Sequence, residues 1–169
     1  MLRPICFALA LALALVLPLG LPPHAQGKQD QQEKKDAEPA AKTYVPGIEQ
    51  FMNAIQTEHA KLWFAGSARN WELAAYQLGE IKEIMSDIGE LYQKFKDLPL
   101  DKMLDDVITG PIAETEKALD AKDFAKFSAA YGKLTDACNA CHQATGNGFI
   151  VIQRPSGQAF PNQDFRPRK

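Results

Sequence analysis

The chain has 169 residues, of which 46% are hydrophobic and 24% charged, and its formal net charge is −2. That length suits one domain around a single core, and the lack of a dense basic face excludes nucleic acid as a partner. Arg166, Arg168 and Lys169 form a small basic cluster that fits a solvated tail.

Residues 1–27 have the pattern of a removable signal peptide. Arg3 supplies a basic n-region, Ile5 to Leu17 an apolar h-region closed by Pro18, and Ala25 and Gly27 the small residues of a cleavage site. The apolar run is shorter than the roughly 20 residues a membrane helix needs, so no stable span is expected after cleavage, an uncleaved anchor being the alternative. Cleavage after Gly27 leaves 142 of the 169 residues, with 18 basic against 21 acidic side chains and a net charge of −3. Cys6 leaves with the signal, so the mature chain keeps Cys138 and Cys141.

Residues 28–45 are expected to form a disordered leader. Its KQDQQEKKDAEPAAKT stretch has too little apolar surface to offset its ordering entropy. Helical periodicity begins at Pro46, a residue suited to a first turn. The first helix is expected from about Pro46 to Phe64, with Ile48, Met52, Ile55, His59 and Leu62 on one stripe and Gly66-Ser67 ending it. Asn70 can cap a second helix carrying Ala74, Leu78, Ile81, Met85, Ile88 and Tyr92 inward, stopped by Leu98-Pro99. A third starts near Asp101 with Leu104, Ile108, Ile112 and Leu119 inward, and Gly110-Pro111 predicts a kink or break. Asp123 can cap a fourth, with Phe124, Phe127, Tyr131, Leu134, Cys138 and Cys141 at helical spacing and Gly146 and Gly148 closing it. Four helices with short connections over residues 46–145 predict an all-α, antiparallel four-helix bundle. Residues 146–169 form an irregular C-terminal tail, in which Phe149 to Ile152 is the one strand-like run.

Cys138-Asn139-Ala140-Cys141-His142 has the form of a covalent haem attachment site. On a helix, positions three apart share a face, so both thiols reach the two vinyl groups of one porphyrin. His142, four residues after Cys138, shares that face and can offer a nitrogen to the iron. Three other readings weigh less. A Cys-x-x-Cys redox pair normally opens a helix after a strand in a thioredoxin-like fold, and no such pattern is present. A zinc site needs a second Cys/His pair. Chance occurrence fits poorly with an export signal and a helical setting.

With its Cys-x-x-Cys-His near the end of a fourth helix, an exported chain of this kind resembles the class II c-type cytochromes, the cytochrome c′ group and its low-spin relatives. The resemblance covers about residues 46–145 and is specific at the haem motif. It implies one covalent haem c, thioethers from Cys138 and Cys141, His142 as proximal iron ligand, and a side chain from the first helix on the other haem face. Two departures stand out: 27 residues follow His142, and Gln143-Ala144-Thr145 lacks the family's basic residue in the last turn.

The first helix offers two side chains for the distal face, seven residues and about 10 Å apart along the axis, so only one can ligate. Met52 would lie near His142 if the helices run antiparallel, and low-spin relatives use a methionine from this region; as core filler it is ordinary. His59 occupies a stripe position where leucine would suit, and burying it without a partner would cost roughly 1–3 kcal/mol. His59 leads as ligand or distal-pocket group, and Met52 is the alternative. Trp63, Phe64 and Trp71 fit either a haem edge or ordinary core, and Lys61 and Arg69 either haem propionates or solvated surface. The Phe149 to Ile152 run, with Phe160 and Phe165, fits a cover over a haem edge or bundle groove, or a docking surface.

The expected function is a periplasmic electron carrier served by redox partner proteins. The alternative is a protein that binds a small gas ligand such as nitric oxide at an open distal position, and a peroxidase-like enzyme ranks last because no arginine joins His59 on its stripe. The resemblance also implies a homodimer formed through the first two helices.

Overall fold

A computed structural model describes residues 44–157 and 159–168. The signal segment and all of the leader except Tyr44 and Val45 lie outside the described residues. Four helices dominate: α1 (Ile48–Ser67), α2 (Trp71–Leu91), α3 (Leu100–Asp120) and α4 (Phe124–Ala144). A minimal antiparallel sheet of β1 (Lys94–Phe95) and β2 (Leu98–Pro99) joins α2 to α3. No helix among the described residues is long and apolar enough to cross a membrane.

The caps follow from side-chain chemistry. Asn70 accepts a hydrogen bond from the Leu73 amide and Asp123 one from the Lys126 amide, each satisfying a first-turn N–H that has no helical partner. That Lys126 amide also holds the Asp123 carboxyl below its usual pKa. At the start of α1, the Gln50 side chain accepts from the Gly47 amide instead.

Three local expectations need correction. Helix α1 starts at Ile48 rather than about Pro46 and ends at Ser67, with Gly66 in its last turn. Gly66 also has a packing role: a methyl group there would overlap the Phe127 ring, so the glycine permits α4 to approach α1 closely. Helix α2 ends at Leu91, well before Leu98-Pro99, because Phe95 and Leu98 pair across the small hairpin. Lys96 takes a left-handed conformation in its turn, at φ 55°. Helix α3 does not break at Pro111. Its neighbours Ile108, Ile112 and Thr115 are buried, and that packing holds the helix against the roughly 3 kcal/mol penalty of an interior proline.

Helix α1 packs on α2 and α4, and α3 packs on α2 and α4. Two apolar clusters result. One gathers Leu62, Leu78, Ile81, Phe127, Tyr131 and Leu134 with Trp63, Phe64 and Trp71 packed against them. The other gathers Ile55, Ile88, Leu100 and Leu104, with Met52 and Phe95 at its margin. The tail contains no strand at Phe149 to Ile152. It nonetheless packs: Phe165 is 5% exposed, and its ring lies 5.4 Å from that of Phe64. Arg154 donates to the Ser128 carbonyl at 2.8 Å and holds its guanidinium 4.2 Å from the centre of the Trp63 ring.

Candidate functional site

Helical spacing in α4 brings Cys138, Cys141 and His142 to one face, and all three line a cavity of about 290 Å³. Met52 and His59 of α1 line the same cavity, as do Leu104 and Ile108 of α3 and Ile150 and Ile152 of the tail. The walls are largely aliphatic. The thiols, His142 and both first-helix candidates therefore meet at one place, although α1 and α4 lie far apart in sequence.

Both cysteines are free thiols and half-buried. Burial, with Cys141 nearby, pushes the Cys138 thiol up to about 11, and burial raises Cys141 as well. A redox-active Cys-x-x-Cys pair needs the opposite shift, toward thiolate at neutral pH. Among the described residues no group of three or more His, Cys, Asp or Glu side chains could hold a metal ion.

The His142 ring is oriented from the tail. Its Nδ1 lies 2.9 Å from the Ile150 carbonyl oxygen. A carbonyl only accepts, so Nδ1 carries the proton and donates, leaving the Nε2 lone pair as the ligating atom. Asn139, inside the motif, makes two bonds to one tail residue: its Nδ2 donates to the Ile152 carbonyl and its Oδ1 accepts from the Ile152 amide, both at 2.8 Å. The Asn147 amide donates to the His142 carbonyl at 2.7 Å, closing the turn that follows.

His59 is 3% exposed, and both its ring nitrogens are engaged. Nε2 lies 3.0 Å from Thr135 Oγ1 and Nδ1 lies 2.9 Å from the Tyr131 hydroxyl, with the Tyr131 ring stacked on the imidazole at 4.4 Å. Two proton arrangements satisfy this network. In one, Nε2 donates to Thr135, whose hydroxyl donates to the Tyr131 carbonyl, and Tyr131 donates to Nδ1. In the other, Nδ1 donates to Tyr131, whose hydroxyl donates to the His59 carbonyl, and Thr135 donates to Nε2. Either way the ring is neutral, and burial lowers its pKa from 6.5 to about 4. Metal ligation by His59 would break one of these buried bonds, at about 1–3 kcal/mol.

The remaining candidates separate clearly. Trp63, Phe64 and Trp71 belong to the filled aromatic cluster and do not line the cavity. Lys61 pairs with Glu58 at 2.9 Å, and Arg69 lies over the Phe124 ring. Asn139, Tyr131, Thr135 and the Ile150 carbonyl carry no sequence signal for the roles they take here.

No family model, curated protein or solved structure matches the chain.

Proposed function

We propose that this chain is a periplasmic c-type cytochrome that carries one haem c and transfers electrons, with its helices arranged as an antiparallel four-helix bundle. The observation that carries the reading is the convergence of both free thiols, the His142 imidazole and Met52 on one apolar cavity. The donor set fits the group. Cys138 and Cys141 would form the two thioethers, and His142, with Nδ1 already donating, would offer Nε2 to the iron. Haem, when bound, supplies a one-electron iron couple. The aliphatic walls around Leu104 and Ile108 would give a bound haem an apolar surround, a setting that tunes its potential. The bundle arrangement is supported by the cluster membership: the first half of α1 shares a cluster with the end of α2 and the start of α3.

Because both nitrogens of His59 are committed, we assign Met52 as the distal ligand and His59 as a buried structural group beside it. The gas-binding reading rests on the same feature. If Met52 stays a wall residue, the distal face is apolar and open to a diatomic ligand.

The test begins with chain expressed alongside cytochrome maturation machinery, denatured, and extracted with acid and organic solvent. Red pigment stays on the polypeptide, and the Cys138→Ala, Cys141→Ala double variant loses it; a colourless wild-type chain overturns the reading. A low-spin spectrum with a sharp reduced α band, turned high-spin by Met52→Ala, supports the carrier. A high-spin wild-type spectrum that shifts with carbon monoxide supports the gas binder. A spectrum altered by His59→Ala and untouched by Met52→Ala transfers the ligand role to His59.

A further inference from the structure

The tail beyond α4 touches the attachment motif at two points, and these have a common geometry. Asn139 projects between the two cysteines of the motif and grips both backbone groups of Ile152, much as a neighbouring strand would. Two residues upstream, the Ile150 carbonyl receives the His142 Nδ1 proton. With Ile152 fixed and the Asn147–Ile150 turn closed by its own backbone bond at 2.9 Å, the Ile150 carbonyl has little freedom to move. We propose that Asn139 is a positioning residue: by clamping Ile152 it holds the Ile150 carbonyl against His142, fixing the imidazole as the Nδ1–H tautomer with Nε2 directed to the iron.

The argument for a positioning role is one of alternatives. A histidine side chain in water favours the Nε2–H tautomer, which would block the nitrogen needed for ligation. His142 sits in the last turn of α4 and is half-exposed, so nothing in its own helix opposes that preference. The backbone acceptor comes from the tail, and it is held there by a residue of the motif itself. Hydrogen bonding of the non-ligating nitrogen is the general means by which proteins set the orientation and donor strength of a metal-bound histidine. The irregular segment after the last helix thereby acquires a role beyond covering apolar surface.

The geometry stands on the hydrogen bonds alone, and its redox consequence rests on the haem reading. Two variants separate the clamp from general damage. Asn139→Ala removes it from the motif side, and Ile152→Pro weakens it from the tail side by deleting one of its two bonds, the amide that Asn139 accepts from. Nitrogen-15 NMR of the full haem-free chain reports the His142 tautomer directly. The wild type shows mainly Nδ1–H; Asn139→Ala shifts to mainly Nε2–H, and Ile152→Pro and Asn139→Asp, each keeping one of the two bonds, shift part of the way. In pigmented protein both variants raise the reduction potential, because a less electron-rich imidazole stabilises ferric iron less. A His142 tautomer that is the same in wild type and both variants overturns the proposal, as does an unchanged potential. Wild-type chain that retains no pigment but shows the tautomer shift sinks the haem reading and leaves the clamp standing.

Discussion

The cluster around Phe127 is aromatic, with Trp63 stacked on that ring and Phe124 and Tyr131 tilted against it, whereas the buried residues around Leu104 are aliphatic and border the cavity. Phe127 and Tyr131 in the first are 0% exposed, and side chains buried in this way are held by their neighbours. The second leaves walls without partners on one side, and those walls forgo dispersion contacts that a bound group would restore. A chain stabilised mainly at one cluster can afford an open site at the other. The two histidines that line the cavity diverge likewise: buried His59 is locked by Tyr131 and Thr135, while half-exposed His142 is held by a carbonyl of the tail.

Truncation of a large side chain at each cluster should break this comparison if it is wrong. Phe127→Ala, at a residue 0% exposed, is expected to cost about 3–5 kcal/mol by chemical denaturation. Leu104→Ala should cost about 2 kcal/mol in haem-free protein, the low end for such changes, because the residue already borders empty space. Equal costs would mean that the two clusters are packed alike. If the cavity takes a haem, the Leu104→Ala cost rises in pigmented protein while the Phe127→Ala cost holds.

The next effect is a pH dependence originating at the filled cluster. His59 titrates at about 4 in the fold against 6.5 when unhindered. Above pH 6.5 both states hold it neutral and the full stability is present. As pH falls from 6.5 toward 4, the unfolded chain takes a proton that the fold refuses, and stability drops by on the order of 3 kcal/mol. His59→Gln should flatten that slope whatever it does to absolute stability, as denaturation curves at pH 7, 5.5 and 4 would reveal; parallel slopes in the two proteins would place the sensitivity elsewhere.

The smallest effect concerns the close approach at Gly66. Alanine there improves helix propensity by about 1 kcal/mol, yet its methyl overlaps the buried Phe127 ring, and overpacking costs about 1–3 kcal/mol. The net expectation is a loss of about 1 kcal/mol. A gain would show that the aromatic cluster has slack.

Much of the fold was legible because its causes are local. Asn70 and Asp123 announce helix starts through side chains that reach amides three residues on, and periodicity marks the inward faces of all four helices. The hairpin escaped notice because two-residue strands carry no period. Pro111 does not break α3, since its penalty is local while the burial that outweighs it is not. At the site, the Cys-x-x-Cys-His spacing singles out Cys138, Cys141 and His142, and all three line the cavity. The state of His59 could not be read this way, since its partners Tyr131 and Thr135 lie 72 and 76 residues along the chain. The tail's grip on the motif was hidden for a related reason: it runs through backbone groups, which every sequence possesses.

The guanidinium of Arg154 over the Trp63 indole gives the tail an optical signature. Indole emission responds to a charge held against its face, so the docked and released tail differ in colour and intensity without any added label. With Trp71, the other tryptophan, changed to phenylalanine, the protein carries its own fluorescent gauge of whether the segment steering His142 is seated.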